Sequence, residues 1–144
     1  MVKKIFALLV CLIGLTILVS ILNCQGSMKT FTLPSGEVVW DLNGEWDSLI
    51  EPYGPWSRAP GYKQITKITQ EGSSFVGTRM TADKYNPIGS KALQGELYKS
   101  GIKKVQILSN VLPEPWDAKG LISEDGNKII IDDGVKVKVT STRK

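Results

Sequence analysis

Near its C-terminus the chain reads Val135-Lys136-Val137-Lys138-Val139-Thr140, valines alternating with polar residues. A period of two suits a half-buried β-strand and no helix, because successive strand side chains point to opposite faces. Ile129-Ile130-Ile131 lies just upstream, and Asp133-Gly134 joins the two. Asp-Gly favours a tight hairpin, since both residues tolerate positive φ. The punctuation recurs as Asp125-Gly126 between 121–123 and 128–129, as Glu71-Gly72 between 62–70 and 74–80, and as Ser100-Gly101 between 93–99 and 102–108. Six prolines, Pro52, Pro55, Pro60, Pro87, Pro113 and Pro115, fall between these segments, where a missing N–H costs no ladder bond. No segment after residue 30 carries an amphipathic helix pattern longer than two turns.

The pattern predicts eight strands: 45–50, 62–70, 74–80, 92–99, 102–108, 118–123, 128–132 and 135–141. Short connections in an all-β chain suit an antiparallel up-and-down barrel better than a sandwich. A weak repeat supports closure. Ser74-Phe75-Val76-Gly77-Thr78, Ala92-Leu93-Gln94-Gly95-Glu96 and Asp117-Ala118-Lys119-Gly120-Leu121 each place a glycine mid-strand. Such a glycine marks a bend or a close approach, and repeated bends let a sheet curl onto itself.

The first residues are different in kind. Lys3 and Lys4 precede an uncharged run over 5–22, rich in Leu, Ile and Val, and Asn23-Cys24-Gln25-Gly26-Ser27 then turns polar. A basic start, an apolar run and a boundary cysteine form a secretory signature. The run is also about the shortest that spans a bilayer, so an uncleaved signal anchor is the alternative. Either places the domain outside the cytoplasm. Ile21-Leu22-Asn23-Cys24 resembles the lipobox of bacterial lipoproteins, with Leu22 and Asn23 where that family prefers smaller residues. The resemblance implies a signal helix over 1–23, removed on export, a lipidated Cys24, and a cell-envelope location with the membrane as partner. Gln25, in place of the aspartate of inner-membrane retention, favours the outer membrane where the cell has one. Residues 24–36 then read as lipidated cysteine and tether, and 37–144 as the barrel domain.

Composition narrows the chemistry. The two cysteines, Cys11 and Cys24, both precede the domain, so a disulfide or thiolate metal site inside it is excluded. Histidine is absent, which removes the commonest general base and metal ligand. Ser-Lys and carboxylate mechanisms survive in principle, but nothing singles out two of the 14 acids. The net charge of +4 loses two lysines with residues 1–23 and becomes +2. Lys136, Lys138, Arg143 and Lys144 read as a solvated strand face, so a nucleic-acid partner is not expected. Glu124-Asp125 and Asp132-Asp133 lack calcium-loop spacing and read as turn residues. No metal, cofactor or enzymatic activity is expected.

Asn43-Gly44-Glu45-Trp46 opens the first strand and resembles the Gly-x-Trp start of lipocalins and the wider calycin group. With the hairpin order, the resemblance covers roughly residues 40–141. It implies that Gly44 and Trp46 plug one barrel end, with Arg143 the candidate to pack on the tryptophan. Trp56 is a different case, sitting in the longest stretch without strand pattern, 51–62. Long loops in compact domains are often lids or binding loops. Tyr53, Trp56, Arg58 and Tyr62 are therefore expected to rim an open end, with Trp116, in its own proline-bounded loop, beside them. The expected function is a membrane-tethered, non-catalytic binding domain for an apolar small molecule or an envelope protein. The alternative is a filled barrel acting as an assembly accessory.

Overall fold

The computed structural model describes residues 29–99 and 101–144. The expected signal helix over 1–23, the lipidation site Cys24, the first part of the tether and Ser100 of one turn lie outside the described residues.

Among the described residues, ten strands run in chain order: β1 (Thr30–Thr32), β2 (Val38–Trp40), β3 (Gly44–Pro52), β4 (Tyr62–Glu71), β5 (Ser74–Arg79), β6 (Lys91–Tyr98), β7 (Gly101–Ile107), β8 (Trp116–Ile122), β9 (Lys128–Asp132) and β10 (Val137–Arg143). The last eight form a closed antiparallel barrel in which each strand pairs with its sequence neighbours and β10 returns to β3. Val139 makes the closure visible, lying opposite Ile131 on one side and Ile50 on the other. The expected eight-stranded up-and-down barrel is therefore the fold. Its strands agree with the sequence reading to within a few residues. The largest differences are of two residues: β8 starts early at Trp116, β3 and β10 run on to Pro52 and Arg143, and Val135 belongs to the turn and not to the last strand.

Strand parity sets the interior. Trp46, Ser48 and Ile50 of β3 point inward and are buried, while Glu45, Asp47 and Leu49 face out. The mid-strand glycines are sites of close approach. A Cβ at Gly77 would lie 2.7 Å from Cγ of Leu93, and one at Gly120 would lie 2.6 Å from Cδ1 of Ile102. Two register shifts, at Gly77/Thr78 and at Glu96/Leu97, add the local curvature that closure needs.

One end of the barrel is closed. Thr30–Thr32 fall within the stretch read as tether, yet β1 pairs with β2 as a small hairpin, Phe31 opposite Val39. Part of the stretch expected as tether is therefore strand. The hairpin packs on the core: Val39 and Leu42 are fully buried, with Phe31, Leu33 and Trp40 against the same cluster. Trp46 is also fully buried and donates its indole N–H to the Leu42 carbonyl at 2.9 Å. Arg143 stacks over the Trp46 ring at 4.5 Å and donates Nη1 to the Asn43 carbonyl and Nη2 to the Asp41 carbonyl. The residues singled out as plug and partner are thus in contact.

Candidate ligand cavity

The opposite end carries the longer loops, between β3 and β4, β5 and β6, and β7 and β8. A cavity of about 540 Å³ opens among them and runs into the barrel. An eight-stranded barrel is just wide enough to hold one small ligand, and ligand pockets generally measure about 300–1,000 Å³.

The cavity has two unlike walls. Ala92, Leu93, Ile107, Ile131, Val137 and Val139 supply an apolar wall from β6, β7, β9 and β10. The other wall is polar and comes from β4, β5 and the loop after β5: Gln64, Arg79, Asp83 and Asn86. Gln64 donates to Thr66 Oγ1 at 3.1 Å. Below it, the Ser48 hydroxyl meets Thr66 Oγ1 at 3.2 Å and the Ser141 hydroxyl at 2.8 Å. These four side chains are buried, and their mutual bonds offset the cost of removing them from water. Ser48's bonded partners among the described residues are both hydroxyls, so the row presents a chain of hydrogen-bonding groups.

Arg79 ends β5 in the inward alternation Phe75, Gly77, Arg79, and only 4% of it is exposed. Its Nη1 donates to the Lys91 carbonyl and the Ser90 hydroxyl, and its Nη2 to the Leu108 carbonyl at 2.7 Å. Burial pushes its pKa down, against the opposing influence of Tyr62 and Asp83. It remains a cation all the same, because a guanidinium does not deprotonate in proteins. Asp83 is the nearby counter-charge. Desolvation pushes its pKa up, but the Tyr85 and Asn86 N–H groups, the Asn86 side-chain amide and the Arg79 charge outweigh this and hold it low. Burial pushes the Tyr62 phenol up, and the Asp83 charge adds to that. Asn86 also accepts from the Ser109 hydroxyl at 3.0 Å and the Asn110 N–H at 2.9 Å, which fastens two of the mouth loops together.

Of the five residues expected at the mouth, Trp56, Tyr62 and Trp116 line the cavity. Trp56 and Trp116 lie 4.9 Å apart with rings tilted by 57°, and the Lys136 ammonium sits over both. Tyr53 and Arg58 do not line it. Tyr53 turns to the neighbouring hairpin, donating its hydroxyl to Asp132 while its N–H bonds the Lys136 carbonyl at 2.7 Å. The bond to Asp132, then desolvation and the two aspartate charges, push its pKa up to about 12. Arg58 is exposed beyond the rim. The loop itself is tightened by one 3₁₀ turn, Gly54–Trp56. Gly54 adopts φ +55° directly against the Val135 carbonyl, where a side chain has no room.

The acidic pairs serve turns. Asp133 Oδ1 accepts the N–H groups of Val135, Lys136 and Val137, and Asp125 Oδ1 accepts the Asn127 N–H and the Ser123 hydroxyl. Sequence reasoning missed Gln64, Arg79, Asp83 and Asn86. Parity along β4 and β5 was the signal for the first two; the loop residues carry none.

Comparison with protein-family models, with curated proteins and with solved structures finds no match.

Proposed function

We propose that this chain is a calycin-like exported lipoprotein, anchored through Cys24, whose barrel mouth holds an apolar small molecule without catalysing its conversion. The observation that carries the reading is the cavity itself: about 540 Å³, opening at the loop-bearing end, with one wall of aliphatic side chains and Trp56 and Trp116 at its rim. Apolar concave sites with a few placed polar groups are the usual form of small-molecule sites.

The position of Lys29 fits an anchor. It lies at the closed end, its carbonyl accepting from the Asp41 N–H at 2.7 Å. Cys24 lies five positions before Lys29, a reach of at most about 18 Å. A domain held that closely stands on its closed end, with the mouth directed away from the bilayer.

A second reading, docking to an envelope protein, draws on the rim. Trp56, Tyr62, Met80, Tyr85, Ile88, Val111 and Val135 are all exposed on mouth loops or at the strand ends beside them. Clustered exposed apolar residues mark interaction surfaces. Organic extraction of full-length protein purified from its own cells, followed by mass spectrometry, separates the two. A stoichiometric apolar molecule is expected. Its absence, together with no saturable uptake of an added apolar probe, overturns the small-molecule reading.

A further inference from the structure

We propose that the cavity selects uncharged, largely apolar ligands that carry an O–H or N–H donor, and that the side-chain carbonyl oxygen of Gln64 is the acceptor that receives it. This deepens the binding reading above and rests on it.

Strand parity sets Gln64 inward. Along β4 it shares the buried face with Thr66 and Ile68, and it lies across from Ser48 of β3. Only 7% of it is exposed, and it lines the cavity. One end of its amide is engaged: Nε2 donates to Thr66 Oγ1, and Thr66 is tied through Ser48 to Ser141. The bond to this anchored row holds the amide in place. Oε1, at the other end, has no hydrogen-bond partner among the described residues. Nor is it sealed off. Among the described residues, the fully enclosed side-chain polar atoms without a partner are the Nε atoms of Arg79 and Arg143. Gln64 Oε1 therefore keeps accessible surface, and on the inner face of β4 the space it meets is the cavity. A ligand that brings a donor satisfies this acceptor, whereas one that brings none displaces water from it and leaves it unpaired.

Ligand charge follows from the neighbours. Arg79 and Asp83 both line the cavity and offset one another. A ligand ammonium would add a further cation beside Arg79, with Lys84 also lining the cavity and Lys136 over Trp56 and Trp116. A ligand carboxylate would set a second anion near Asp83 and offer Oε1 no donor. A neutral hydroxyl or amide N–H meets neither obstacle. The alkyl part lies against Leu93, Ile131 and Val139 on the apolar wall.

The test uses full-length protein in lipid nanodiscs, with empty nanodiscs as control. Octan-1-ol, its isomer 1-methoxyheptane, nonane, octylammonium and octanoate are titrated at neutral pH while the emission of Trp56 and Trp116 is followed. The two isomers match in composition and differ in the O–H, so their ratio reads the donor directly. Hydrophobic transfer alone ranks nonane first. The expected order puts octan-1-ol about tenfold tighter than each of the other four. The Gln64 side-chain carbonyl carbon resonance should shift with octan-1-ol and stay in place with nonane. In Gln64→Met the preference for the alcohol over the ether should disappear; the wild-type series decides even if that variant does not fold. Ether or alkane binding as tightly as the alcohol, or either charged probe binding tightest, overturns the proposal and leaves the binding reading standing. No saturable binding of any of the five overturns both.

Discussion

Replacing Arg143 by Met should loosen the closed end of the barrel and leave its mouth intact. Arg143 donates to the carbonyls of Asn43 and Asp41, so β10 is tied to the segment that leads into β3. Hydrogen bonds from a charged group contribute about 1.5–3 kcal/mol each, the lower figure applying to a partly exposed pair such as this. Its guanidinium also lies 4.5 Å over the Trp46 ring, a contact worth about 0.5–1 kcal/mol where solvent reaches it. Methionine keeps much of the apolar stem against the ring and removes an Nε that is buried without a partner among the described residues, which returns part of the loss. The net expectation is a destabilisation of about 2–3 kcal/mol, or a fall in melting temperature of roughly 10 °C for a domain of this size. Thermal unfolding followed by near-ultraviolet circular dichroism reads it directly, because Trp46 is fixed in the core. Arg143→Lys keeps the charge but loses the planar fork, and should recover less than half of the loss. A fall of less than about 3 °C in the methionine variant, or full recovery in the lysine variant, would refute the reasoning that a two-carbonyl fork holds this end.

Four further outcomes are expected. Tyr53 should ionise late in an alkaline titration of phenolate absorbance, at about pH 12, and Tyr53→Phe should remove that step. Because its folded pKa is raised from 10.0 to about 12, its contribution to stability is complete below pH 10 and is lost as pH rises toward 12. Asp133 behaves oppositely: desolvation pushes its pKa up, but three backbone N–H groups and Lys136 hold the net value below 3.8, so its contribution is present above that pH and disappears as pH falls through the lowered value. Asp133→Ala should therefore cost about 1–3 kcal/mol at neutral pH, measured by urea unfolding, and much less in strong acid. Cys24→Ser should abolish incorporation of labelled palmitate and leave an unprocessed precursor, whereas normal processing in that variant means another signal type operates. Trp56→Ala should weaken binding of a neutral apolar probe, and equal saturable binding in both proteins would make the loop a bystander.

The barrel is legible in the residue order because its determinants are local. Alternation along 137–141 and Asp-Gly or Glu-Gly turns each act over a few residues, and a chain of hairpins with no long crossover leaves few ways to pair eight strands. The same reasoning places Trp46 with Arg143 at one end and the loop carrying Trp56 at the other, since strand direction alternates at every turn. Local pattern does not reveal which side chains share the cavity. Position in a loop assigns Tyr53 to the rim, yet Asp132 and Lys136, about eighty residues away in sequence, draw it aside. The first hairpin reads as tether because Thr30–Thr32 are short and polar by themselves; they become a strand only when Phe31 can pack on a core built from distant residues. Arg79 shows the division most plainly. Parity along β5 already turns it inward, and composition alone gives no reason to bury a cation. Pairing of β5 with β6, and of β6 with β7, brings the Lys91 and Leu108 carbonyls to its terminal nitrogens, Asp83 follows in the next loop, and those partners make a buried guanidinium tolerable beside an apolar wall.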